Sequence, residues 1–267
     1  MSALTFGLFY LVMFLIASVF SALGQGGGVL YTPVQLFFGF EFHAAATTSL
    51  LLIMVTSLSA TLVFHRAAMV DWPLAIVLES STTTGAFLGG LYSGHFSGKF
   101  LTYLFSGVIA VAAFFMVKRF SMKARCGDKP GGFFRWRRGV GLETYCVNLA
   151  LALPVSFIAG GISGLIGVSG GILKVPMLVL LFGVPMNIAV GSSAFMVGLT
   201  AAGGFAGHLA AGHFDWRIAL ALIPGIFLGA QIGSRTSVKI DKSKMKIFFG
   251  YFLAVLAVLL VIRTALR

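Results

Sequence analysis

Long apolar runs fill nearly the whole of this chain, and they leave it few ways to fold. Residues 4–23, 43–64, 73–92, 100–117, 145–166, 187–209, 216–233 and 246–262 form eight such runs. Each is close to the ~20 residues that cross a bilayer as a helix. Two shorter runs, 29–39 and 172–183, reach only about 17 Å as helices, near half of a ~30 Å hydrocarbon core. A charged fraction of 10%, against about 25% in a soluble domain, agrees with this. So does the mean hydropathy of +1.01. The expected fold class is therefore an all-α polytopic membrane protein, with about eight full spans, two half-helices and no room for a soluble domain. Residues 4–23 read as a retained span, because no basic segment precedes them and the run is too long for a signal peptide.

The two short runs each follow a glycine cluster. Gly24-Gln25-Gly26-Gly27-Gly28-Val29-Leu30-Tyr31-Thr32-Pro33 is matched 143 positions later by Gly167-Val168-Ser169-Gly170-Gly171-Ile172-Leu173-Lys174-Val175-Pro176. Glycine costs roughly 1 kcal/mol in a helix interior, so each cluster predicts a break in the helix. Within a membrane, freed backbone groups are tolerated where protein or a water-filled cavity covers them. A matched pair of broken segments in two halves of a chain points to a transporter's binding site.

Beyond the clusters the halves stay in register at an offset of 144. Gly39 pairs with Gly183, Ala45 with Ala189, Thr48-Ser49 with Ser192-Ser193, and Asp71-Trp72 with Asp215-Trp216. Gly85-Ala86 pairs with Gly229-Ala230, and Gly89 with Gly233. The chain thus reads as a first transmembrane repeat over 1–119, a basic cytoplasmic linker over 120–143, and a second repeat over 144–267.

Charge sets the expected orientation. The net charge of +12 is concentrated in two loops, so it argues for membrane topology and against nucleic acid as a partner. With the linker inside, the inner loops hold about fourteen Lys and Arg, and the outside holds Lys99, Arg217, Arg263 and Arg267. Parallel repeats would even this out, so inverted repeats with both termini outside are expected. Cys126 and Cys146 show no metal or redox spacing, and a structural disulfide is not expected.

The Gly-rich, Pro-terminated motif, followed by an Ala-x-x-Ser/Thr-Ser element and repeated after a basic loop, resembles the sulfite exporter TauE/SafE family. The resemblance covers essentially the whole chain, with departures at Gln25 and Ser169. It implies a carrier in the bacterial inner membrane for sulfite, sulfoacetate or related organosulfonates. A small anionic substrate and the lipid bilayer are then the partners, with a proton or sodium as a coupling ion for uptake and an oligomer left open. An anion channel of the same fold and a proton-coupled uptake carrier for another organic anion are the alternatives.

Lys174 is the one cation well inside an apolar segment, and an intramembrane charge is a functional hypothesis by default. It competes with a reading as a snorkelling or merely paired lysine. Its repeat counterpart is Tyr31. Gln25, Ser169 and the amides of Gly26, Gly27, Gly28, Gly170 and Gly171 would complete an anion cradle. Thr48, Ser49, Ser192 and Ser193 would either bind the anion or cap helices. Glu79, the most deeply placed acid, is a candidate proton carrier or a structural partner of Lys174. Gln231 and His208 are weaker candidates, and the remaining histidines fall near span ends. Asp71-Trp72 and the two Gly-x-x-x-Gly pairs read as structural. No nucleophile–base set, metal-ligand spacing or nucleotide motif occurs, so the chain is not expected to be an enzyme or to carry a cofactor or metal.

Overall fold

The computed structural model describes residues 3–24, 28–40, 42–92, 134–141, 143–166, 171–209 and 216–241, with isolated positions in 100–114 and 247–258. Helices dominate. In the first half α1 spans Ala3–Ala22, α2 Gly28–Phe37, α3 Phe42–Arg66 and α4 Trp72–Tyr92. In the second, α5 spans Leu149–Ile166, α6 Gly171–Pro176, α7 Met186–Leu209 and α8 Trp216–Lys239.

The glycine clusters and prolines shape the two short helices. α1 ends where Gly24 takes a positive φ of 70°, and α2 ends before Gly39 at 88°. α2 has 10 residues and is about 15 Å long. α6 has 6, and continues as a π-helical turn over Met177–Leu181. Pro176 lacks the N–H that would hold the ordinary ladder, and the widened turn follows directly. Gly183, at a φ of 68°, closes it.

Among the described residues, four helices carry a stretch long and apolar enough to cross a membrane: Leu4–Ala22, Thr47–Arg66, Met186–Gly203 and Trp216–Lys239. α4 has 21 residues, but Glu79 and the five hydroxyl residues after it keep it out of that set. The expected spans at 100–117 and 246–262 lie largely outside the described residues. Leu4, Leu8, Leu11 and Leu15 of α1 are exposed along one stripe, as are Leu228 and Ile232 of α8, which suits lipid-facing surfaces.

The fold is that of an all-α membrane protein with one short hairpin added. Arg135–Val140 (β1) and Glu143–Asn148 (β2) form an antiparallel hairpin, with Arg138 opposite Tyr145 and Gly141 at the turn with a φ of 58°. Tyr145 and Val147 bury their side chains against Leu74, Leu78 and Ala152. The fifth apolar run therefore enters its helix at Leu149, not at 145. Cys146 on β2 is disulfide-bonded, which also differs from the sequence expectation.

Packing is reciprocal between the halves. α1 lies on α8 and α4 on α5; α3 crosses α7 and α8, and α7 in turn meets α4; α2 packs on α3 as α6 does on α7. Glycine permits the closest of these approaches. A Cβ on Gly85 would sit 2.1 Å from the Phe157 carbonyl oxygen, and one on Gly89 2.1 Å from that of Gly161. In the matching place, a Cβ on Gly229 would lie 2.6 Å from the Phe14 oxygen, and one on Gly233 1.8 Å from that of Ser18. The Gly-x-x-x-Gly pairs are packing faces, and each joins helices of different halves.

Candidate functional site

Lys174 and Glu79 meet in the interior. Lys174 is 2% exposed and Glu79 2%. The lysine Nζ donates to Glu79 Oε2 at 2.7 Å and to Thr200 Oγ1 at 2.6 Å. The Thr200 hydroxyl donates in turn to Glu79 Oε1, closing a triangle, and Thr83 Oγ1 donates to the same oxygen at 3.0 Å. Three helices supply this set: α4 the acid and Thr83, α6 the lysine, α7 Thr200. Each sits on a helix face that packs inward, and burial is tolerated because charge and hydrogen bonds are matched.

The first half holds an uncharged counterpart. The Tyr31 hydroxyl lies 2.8 Å from Thr56 Oγ1. Thr56 donates to the Leu52 carbonyl at 2.8 Å, and Thr200 lies 3.1 Å from that of Met196. Tyr31 and Lys174 are 143 apart and Thr56 and Thr200 are 144 apart, the spacings at which the glycine clusters and the later matched residues recur in the sequence. Ile223 stands where the acid would be. Nearby, Gln35 Nε2 donates to Ser49 Oγ at 2.8 Å, and Thr32 Oγ1 donates to the same oxygen at 2.9 Å.

Several expected site residues are placed otherwise than as a single cluster. Gln25, Gly26, Gly27, Ser169 and Gly170 lie outside the described residues. Gly28 and Gly171 begin α2 and α6. Thr48, Ser49, Ser192 and Ser193 are buried, but they lie in the second turn of α3 or α7 and do not open those helices. Ser193 donates to the Gly24 carbonyl at 2.7 Å, holding the end of α1 at the glycine break from the other half of the chain. Ser192 accepts the backbone N–H of Asp71 at 3.0 Å. Gln231 Nε2 donates to the Ser59 carbonyl at 3.0 Å, a tie between α8 and α3.

A second charged set, which the sequence reading did not assemble, fastens the hairpin. Asp71 caps α4 by accepting the Leu74 N–H at 3.1 Å. It also accepts from Arg138 Nη2 at 2.7 Å, Arg138 Nε at 3.0 Å and the Tyr145 hydroxyl at 2.6 Å. The hydrogen bond to Asp71 raises the Arg138 pKa above its ordinary value. Burial, with the hydrogen bond to Asp71 after it, pushes the Tyr145 phenol well above the usual range, so it remains a donor at physiological pH. Asp71→Asn is expected to destabilise the protein by about 1–3 kcal/mol through the lost charge-assisted bonds, and Tyr145→Phe by about 1 kcal/mol. Thermal midpoints in detergent check both, and an unchanged midpoint for Asp71→Asn would show that the hairpin is not held this way.

Among the described residues no group of His, Cys, Asp and Glu is arranged to hold a metal ion. The model of the family described as "Sulfite exporter TauE/SafE" matches residues 9–260. "Probable membrane transporter protein YunE" of Bacillus subtilis (strain 168) is 31% identical over 236 residues, covering 84% of this chain and 85% of that one. "Probable membrane transporter protein YdhB" of the same organism is 24% identical over 242 residues, with coverage of 90% and 93%. A "Probable membrane transporter protein" of Xylella fastidiosa (strain Temecula1 / ATCC 700964) is 27% identical over 252 residues, with coverage of 91% and 89%. No solved structure matches.

Proposed function

Because the chain belongs to the sulfite exporter TauE/SafE family of membrane transporters and is not an enzyme, we propose that it is a secondary carrier of small sulfur-containing anions, such as sulfite, sulfoacetate or related organosulfonates. The observation that carries this reading is Lys174, an ammonium buried in an apolar chain three residues into the short helix that follows the second glycine break. The anion lies between the two breaks near the bilayer midplane. Gln25, Gly26, Gly27, Gly28, Ser169, Gly170 and Gly171 offer it backbone and polar donors, and Lys174 supplies the charge. Tyr31, Thr48, Ser49, Ser192 and Ser193 line or brace that site. Alternating access then exposes it to one side at a time.

Proteoliposome counterflow tests this. Saturable exchange of labelled sulfite or of a small organosulfonate is the expected result. Currents far beyond carrier turnover without counterflow would replace the carrier with a channel. No exchange of any sulfur anion by folded protein would remove the substrate class.

The halves 1–119 and 144–267, joined by the linker 120–143, are read as inverted repeats in the bacterial inner membrane, with both termini outside. The reciprocal packing and the cation count support this. The disulfide at Cys146 points the other way, since such bonds persist in oxidising surroundings. Six cations in the linker 120–143 outweigh a single bond. A cysteine introduced into the linker is therefore expected to react only with a maleimide that crosses the inner membrane; labelling of the linker by an impermeant maleimide from outside would overturn the orientation.

A further inference from the structure

We propose that Glu79 is the internal stand-in for the transported anion. Its carboxylate and the anion compete for one ammonium, that of Lys174, so that each anion moves together with one proton. The inference rests on the carrier reading above and adds its stoichiometry and driving force.

The geometry motivates it directly. Glu79 accepts from Lys174 Nζ at 2.7 Å and from Thr83 at 3.0 Å, with Thr200 closing the ring, so every group on it is a donor. This is the pattern of an ionised carboxylate. Lys174 is its sole charged neighbour among the described side chains. α5, packed along α4, contains no ionisable residue, and α7 contains only His208, whose side chain lies outside the described residues. Arg138 and Tyr145 are engaged by Asp71, eight positions away from Glu79 and so about 12 Å along the helix. With no other described side chain to balance it, Glu79 cannot give up Lys174 to a ligand and remain charged without a large cost.

A proton removes that cost. In the exchange, one proton binds a Glu79 oxygen, Lys174 keeps its three, and the anion takes the carboxylate's place on Nζ. The single hydrogen of Thr200 turns from Oε1 to the Met196 carbonyl, 3.1 Å away, and the Thr200 oxygen then accepts from the protonated acid. Empty, the site holds one positive and one negative charge. Loaded with a monoanion, it again holds one of each. Both forms cross the membrane neutral, so transport of a monoanion is electroneutral symport with a proton. Among the described residues the first half offers no second such site, since Tyr31 and Thr56 are uncharged and Ile223 stands where the acid would be. One proton per anion follows.

The test uses the full chain in proteoliposomes, with labelled methanesulfonate and labelled sulfite at a pH where sulfite is the monoanion. Exchange at equal pH and zero potential is read first; if neither probe exchanges, the carrier reading for sulfur anions falls and this inference falls with it. On a probe that exchanges, accumulation is expected to change about tenfold per unit of pH gradient. It should not respond to a potassium–valinomycin potential. Flux that follows the potential and ignores the pH gradient would overturn the coupling while leaving the carrier intact. Glu79→Gln should convert transport to an electrogenic mode, insensitive to pH, in which 100 mV shifts accumulation about 50-fold. Should that variant not fold, the wild-type measurement decides alone. Thr200→Val, which keeps shape and loses the hydroxyl, is expected to shift the pH profile; a profile identical to wild type would remove Thr200 from the exchange.

Discussion

Replacing Lys174 by methionine is expected to lower anion exchange by more than ~100-fold, equivalent to roughly 3 kcal/mol of binding. The same change should cost the fold about 3–5 kcal/mol, because it strands Glu79 as a buried charge without its partner. These two losses have different remedies, which makes the roles separable. Removing both charges, as in Lys174→Met with Glu79→Met, leaves an apolar pair of similar volume, and such replacements are often neutral or stabilising. The double variant should therefore regain most of its thermal midpoint and none of its exchange. If the double variant transports, Lys174 is a structural lysine and the anion's charge is met elsewhere.

Much of this site was legible in the sequence, and its gaps have physical causes. The glycine clusters, each followed by a proline, predicted two half-length helices, and α2 and α6 with its π-helical turn are those. A lone lysine and a lone deep glutamate in apolar surroundings suggested each other as partners, since neither is tolerated unpaired. Thr200 does not stand out in the sequence, because a threonine in a membrane helix usually bonds its own i−4 carbonyl. The signal was nonetheless present: Thr56 and Thr200 share the 144-residue offset of the other matched pairs. The hairpin was missed for another reason. Arg135, Arg137 and Arg138 carry the same charge signal as any loop cations, although Tyr145 and Val147 alternate with polar residues as a half-buried strand does. Asp71 reads as structural, and it caps α4. Its bond to Arg138, 67 positions away, could not be found from local pattern.

Gly233→Val is expected to be the most damaging change remote from the charged set. Even the Cβ of alanine at that position would lie 1.8 Å from the Ser18 carbonyl oxygen and 2.4 Å from Ser21 Oγ. Backbone cannot yield as a flexible side-chain end does, so α1 and α8 would have to separate. A loss of at least ~3 kcal/mol is expected, at or beyond the upper end for overpacking. Gly160→Val should behave similarly on the α4–α5 side, where a Cβ would lie 2.0 Å from the Thr82 oxygen. Gly7→Ala is the control, since nothing lies within 4 Å of its Cβ, and it should be neutral or stabilising by up to ~1 kcal/mol. Midpoints in detergent rank the three, and equal midpoints would mean these contacts are not close-packed. The consequence reaches transport. Because each glycine seam joins a helix of one half to a helix of the other, α1–α8 and α4–α5 should each move as one body. Relative movement is then expected at the α3–α7 crossing, where Gly198 packs against Ser57. A cross-link between α1 and α8 should then be tolerated, while one between α3 and α7 should stop exchange; the reverse pattern would show that the repeats themselves rock as units.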